Sequence, residues 1–148
     1  MPIPLFTESG DLPPGVHSGT LTEVLARFGR GTPERVDVGG RLALIHGLAA
    51  STGSVRRFVV FGSFITAKPS PNDVDVFLVM EDEFAVSSVE PAVLAVFDHE
   101  AAQERLGASV FWLRRLAALD GEQAAVEYWQ VTRAGGLRGI VEIVEPRR

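Results

Sequence analysis

Two aspartates separated by one valine, Asp73-Val74-Asp75, are the residues of this chain whose type and spacing point most directly to chemistry. They open an apolar, β-branched run from Val74 to Met80 that reads as a strand. Side chains alternate across a strand, so both carboxylates aim at one face, and Val74 and Val76 aim at the other, into a core. Two adjacent carboxylates repel each other unless a cation or a proton lies between them. Hard oxygen ligands suit Mg²⁺, which takes one or two carboxylates plus substrate phosphates; Mn²⁺ accepts the same donors. Upstream, Phe58-Val59-Val60-Phe61 is a second strand, ended by Gly62-Ser63, and Asp73 follows Ser63 by ten positions. Lacking a Cβ, Gly62 lets backbone approach a ligand closely. A helical turn starting at Ser63 would offer free N–H groups to a phosphate. Thr66 and Lys68, in the connecting loop, are further candidates for phosphate oxygens. The expected set is therefore Asp73 and Asp75 for catalysis and metal, with Gly62, Ser63, Thr66 and Lys68 for nucleotide phosphates.

This segment, residues 58–78, resembles the signature of the nucleotidyltransferase superfamily: an apolar strand, Gly-Ser, a loop, then Asp-x-Asp in a second strand. Gly62, Ser63, Asp73 and Asp75 match it. The segments Leu12-Pro13-Pro14-Gly15-Val16-His17 and Tyr128-Trp129-Gln130…Leu137-Arg138-Gly139-Ile140 are similar to those of a group of small bacterial nucleotidyltransferase-like proteins. The resemblance implies an α+β (α/β) domain of the polymerase-beta-like kind, a small mixed sheet flanked by helices. It also implies a Mg²⁺-dependent transfer of a nucleotidyl group from a nucleoside triphosphate to an acceptor hydroxyl. The alternative is a catalytically degenerate regulatory or antitoxin module that binds a nucleotide or a partner protein, since some small members act in toxin–antitoxin pairs. One departure bears on that choice. The superfamily places a third carboxylate on a later strand, yet Ala108-Ser109-Val110-Phe111-Trp112-Leu113 carries no acid. Glu127, Glu142 and Asp98 are the substitutes to consider.

Other chemistries fail on spacing. Ala67 and Pro69 flank Lys68 where a P-loop needs glycine and a hydroxyl residue. The later ligands and glycine of an EF-hand are missing after Asp75. Gln103 follows His99-Glu100 where a zincin helix needs its second histidine. With no cysteine there is neither a disulfide framework nor a thiolate zinc site. The net charge is −5, and the 13 arginines that remain once Lys68 is set aside from the 14 basic residues are scattered, with pairs only at Arg56-Arg57, Arg114-Arg115 and Arg147-Arg148. Broad, non-specific DNA binding is therefore disfavoured. No run approaches a membrane span, and the start shows no basic and apolar leader, so a cytoplasmic location is expected.

The elements that must hold this site follow from pattern. With 148 residues the chain is of one-domain size. Residues 1–19, with four prolines and three glycines, read as an extended arm, and residues 20–148 as the single domain. Thr20-x-x-Glu23 predicts a capping box for a short helix ended at Gly29, and Pro33 opens a second helix to about Ser51. Residues 90–106 read as one helix ended by Gly107, and Ser109–Leu113 as a third strand. Asp120, with Gln123 as partner, predicts a capped helix. Tyr128–Arg133 and Leu137–Val144 read as a hairpin about Ala134-Gly135-Gly136. Phe58, Phe61, Phe111, Trp112, Tyr128 and Trp129 are assigned to the core.

Overall fold

The structure, a computed structural model, describes residues 3–146; the first two residues of the expected arm and the Arg147-Arg148 pair lie outside it. The chain is an α+β protein built on one five-stranded mixed sheet. In chain order the elements are β1 (Val16–Gly19), α1 (Leu21–Phe28), α2 (Pro33–Ala50), β2 (Val55–Phe61), β3 (Val74–Met80), α3 (Pro91–Leu94), α4 (His99–Ala101), β4 (Ala108–Arg114), α5 (Glu122–Glu127) and β5 (Ile140–Ile143). The strand order is β1-β5-β2-β3-β4. The outer pairs β1/β5 and β3/β4 are parallel, and β5/β2 and β2/β3 are antiparallel.

Alternation splits the sheet into two unlike faces. One carries Phe58, Val60, Val74, Val76, Leu78, Val110 and Val141, all buried, and packs under α2. The other carries Phe61, Asp75 and Ser109 in register, then Val59, Phe77 and Phe111 one step along. Trp129 covers this second face, with its ring 4.5 Å from Phe61 and 5.2 Å from Phe77.

The helices start where capping chemistry puts them. Thr20 accepts from the Glu23 amide at 3.1 Å, and Glu23 accepts from the Thr20 amide at 2.8 Å, closing the capping box. Thr32 caps α2 ahead of Pro33. Inside α2, Gly39 weakens helix propensity but allows a close approach: a Cβ there would stand 3.1 Å from Gly29 Cα, where the two helices meet.

Four expectations are corrected. The arm is part of the sheet: Val16–Gly19 pairs with β5, and Leu12 is buried. The 90–106 helix breaks at Asp98, whose extended backbone lets its carboxylate cap α4; a π turn then runs to Gly107. The Phe97 carbonyl freed by that break accepts from Trp112 Nε1 at 3.0 Å. Asp120 caps nothing; α5 starts at Glu122 with Gly121 at its N-cap and no side-chain cap, and Gln123 instead accepts from Arg57 at 2.9 Å. The hairpin reduces to one bridge, Val131 to Leu137, because Tyr128–Gln130 prolongs α5 as a tight turn that seats Trp129 on the sheet.

Arg35 is the buried cation of the fold. It has no acidic partner among the described residues, and its guanidinium donates to the carbonyls of Phe28, Phe64, Thr66 and Lys68. It thereby ties the loop after Gly62 to α2. Arg35→Met keeps an apolar stem but strands these acceptors, and should cost about 2–4 kcal/mol in urea unfolding. A loss below about 0.5 kcal/mol, the ordinary scatter of surface changes, would mean the carbonyls find water instead.

Candidate functional site

Asp73 and Asp75 line one open cleft of about 830 Å³ together with Gly62, Ser63 and Lys68. Its formation is local. The Asp75 side chain leaves β3 on the same face as Phe61 and Ser109, its cross-strand partners. Gly62, one residue past Phe61, has φ 84° and ψ −164°, and the Asp75 carboxylate lies in the space its Cβ would occupy. Ser63 then opens a single 3₁₀ turn, Ser63–Ile65, so the helical segment at this corner is one turn long. Arg41 fixes the mouth by donating to the carbonyls of Asn72 and Gly107, both at 3.1 Å, the residues just before Asp73 and β4.

The electrostatics of the pair are uneven. Burial first, and the Asp73 charge second, push the Asp75 carboxyl up to about 6, against the opposing pull of Arg138, the Ser109 hydroxyl and Arg133. Ser109 Oγ donates to Asp73 Oδ2 at 3.2 Å. A carboxylate held in this way gains from a cation beside it.

Thr66 is corrected. Its side chain is buried beneath the loop, where the hydroxyl donates to the Ser63 carbonyl at 2.7 Å and accepts from the Lys68 amide at 3.2 Å. It shapes the turn and does not line the cleft. Lys68 does line it, with an exposed side chain.

The cleft also holds residues that spacing did not single out. Phe111 and Trp129, read as core, form a wall with ring centroids 5.0 Å apart, and Phe111 is 38% exposed. Arg133 and Arg138 face the carboxylates from the loop before β5. In the sequence Arg133 precedes Ala134-Gly135-Gly136 and Arg138 lies in the Leu137–Ile140 segment of the resemblance, and neither position says where the turn points.

Among the described residues no third acid joins Asp73 and Asp75 in the cleft. Ser109 occupies the position beside Asp75 on β4. Glu142 is paired with Arg57 at 2.7 Å, Asp98 caps α4, and Glu127 accepts from Gln123 at 3.3 Å. Among the described residues no group of three or more histidine, cysteine or acidic side chains gathers. The donor set of two carboxylates in a polar, open cleft fits one hard divalent ion that completes its shell from water or phosphate. It does not fit a dedicated pair of ions.

Among the described residues no helix is long and apolar enough to cross a membrane. No curated protein and no solved structure matches the chain. A family model does match, over residues 4–144, and the chain belongs to that family, the family of unknown function DUF6932.

Proposed function

We propose that the cleft binds a nucleoside triphosphate with Mg²⁺ or Mn²⁺ and transfers its nucleotidyl group to an acceptor hydroxyl, on a nucleotidyltransferase-like fold. The observation that carries this reading is the convergence of Asp73 and Asp75 with the Gly62-Ser63 corner in one cleft. The placement of β4 beside β3, as the resemblance requires of the strand after Asp-x-Asp, supports it as well. Asp73 and Asp75 hold the ion; Gly62, Ser63 and Lys68 seat phosphate oxygens; Phe111 and Trp129 offer a face to the base. The ion, when bound, supplies charge neutralisation of the triphosphate. The acceptor oxygen bonds to the α-phosphorus as the bond to the bridging oxygen breaks, releasing pyrophosphate and the acceptor's proton. The protein's share is positioning and charge, as in phosphoryl-type transfers.

The second reading is a regulatory module that binds nucleotide, or a partner protein, without turnover. Ser109 favours it, because a third carboxylate at that position would hold a second ion. Calorimetry with Mg²⁺ and each of ATP, GTP, CTP and UTP, followed by a pyrophosphate-release assay, separates the two. Binding with release supports transfer. Binding without release, with release gained in Ser109→Asp, supports the module. No binding of any nucleotide removes transfer and the nucleotide-binding form of the module, and leaves only a module that binds a partner protein.

A further inference from the structure

Two segments stood apart from the acidic pair in the sequence, Leu12–His17 and Tyr128–Ile140, and the fold brings them together. The Gly139 amide donates to the Leu12 carbonyl at 2.9 Å, and the Ile140 amide to the Gly15 carbonyl at 3.0 Å. The Gly15 amide donates to Gln130 Oε1 at 2.6 Å. His17 Nε2 donates to the Pro13 carbonyl at 2.7 Å, which holds the Pro-Pro turn against its own strand. Gly139 has no room for a side chain, since a Cβ would run into the Pro13 carbonyl, His17 Nε2 and Leu12 Cβ. Both ends of the intervening loop are thus clamped, and Val131 bridges Leu137 across its neck.

The clamped loop carries Arg133 and Arg138. Both line the cleft of Asp73 and Asp75. Arg138 is held 3.7 Å from Asp11, on the N-terminal segment itself. Arg133 is exposed and makes no hydrogen bond or ion pair among the described residues. A guanidinium lining the same cleft as two carboxylates is suited to an anion that bridges the gap through a cation on the acidic side.

We propose that the N-terminal segment and the Tyr128–Ile140 segment form a frame that holds Arg133 and Arg138 as the second half of a polyphosphate seat, opposite Asp73 and Asp75. The inference rests on the nucleotide reading for its ligand but names a property of its own: recognition of the terminal phosphates, independent of the base. A chain of three phosphates, pinned by an ion at Asp73 and Asp75, extends toward the arginines; a monophosphate stops short of them.

The test is calorimetry on the full chain with Mg²⁺ and four probes, ATP, AMP, inorganic tripolyphosphate and orthophosphate, for the wild type, Arg133→Ala, Arg133→Lys and Arg138→Ala. The wild type should bind ATP and tripolyphosphate well above AMP and orthophosphate. Arg133→Ala should weaken ATP and tripolyphosphate by about tenfold or more, the usual loss of a charge-assisted contact, and leave AMP unchanged. Arg133→Lys should recover part of that loss, and thermal melts of each variant separate binding from folding. Tripolyphosphate bound without any nucleotide would keep this inference and remove the nucleotide reading. ATP affinity indifferent to Arg133→Ala, or AMP weakened equally, would overturn the inference and leave the nucleotide reading standing. Neither ATP nor tripolyphosphate binding the wild type would remove both.

Discussion

Asp75→Asn should yield a protein more stable than the wild type at pH 7 and about a hundredfold weaker or worse for Mn²⁺ and triphosphate. Both effects have one origin. The native protein holds the Asp75 proton more tightly than the unfolded chain does, with the carboxyl at about 6 when folded and about 3.9 when unfolded. Between those values the folded state binds more protons, so the stability of the metal-free protein falls as pH rises from about 4 to about 6. The penalty is complete above that window and absent below it. Full conversion of the shift gives about 3 kcal/mol, and the open cleft reduces it to about 2. Asparagine keeps the shape and removes the charge, so its advantage should be present at pH 7 and vanish near pH 4. Urea midpoints for both proteins across that range check it. A midpoint for Asp75→Asn lower than the wild type's at pH 7 would mean the carboxylate is held by favourable partners rather than strained. The same proton competes with a cation, so metal affinity in the wild type should climb as pH rises toward about 6 and level off above it.

How far this was readable beforehand depends on the range of the interactions. The placing of Asp75 next to the Gly62 corner needs only strand alternation and a loop short enough to return, both local, and the pattern of apolar residues shows them. The capping of α1 and α2 is local too, carried by Thr20, Glu23, Thr32 and Pro33. The helix expected over residues 90–106 breaks at Asp98, and the Phe97 carbonyl that a continuous helix would have used accepts instead from Trp112, on another element. Thr66 is placed otherwise for a subtler reason: its side chain is buried and its hydroxyl donates to the Ser63 carbonyl. Arg133 and Arg138 reach the site only because Leu12 and Gly15 grip the far end of their loop, a contact between the two ends of the chain that no local pattern encodes. Composition assigned Phe111 and Trp129 to the core, and half of that holds: each packs on one side and borders the cleft on the other.

Gly62→Ala should cost about 3–5 kcal/mol and remove cation binding together with it. Two separate terms add here. The backbone at φ 84° and ψ −164° belongs to a region that side-chain-bearing residues scarcely enter, worth roughly 1–3 kcal/mol. The new methyl would also overlap the Asp75 carboxylate, so one of them must leave the position that makes the cleft. These terms can be separated by a double-mutant cycle with Asp75→Ala. In the truncated background the overlap is gone and only the backbone strain remains, so Gly62→Ala should cost about 2 kcal/mol less there than in the wild type. Guanidinium unfolding of the four proteins reads the coupling directly. Equal costs in both backgrounds would show that Asp75 does not rest on Gly62 and would detach the acidic pair from the corner at which the phosphate seat is proposed. A coupling of the expected size ties the strand turn, the raised proton affinity of Asp75 and the shape of the cleft to one contact between a carboxylate and a glycine.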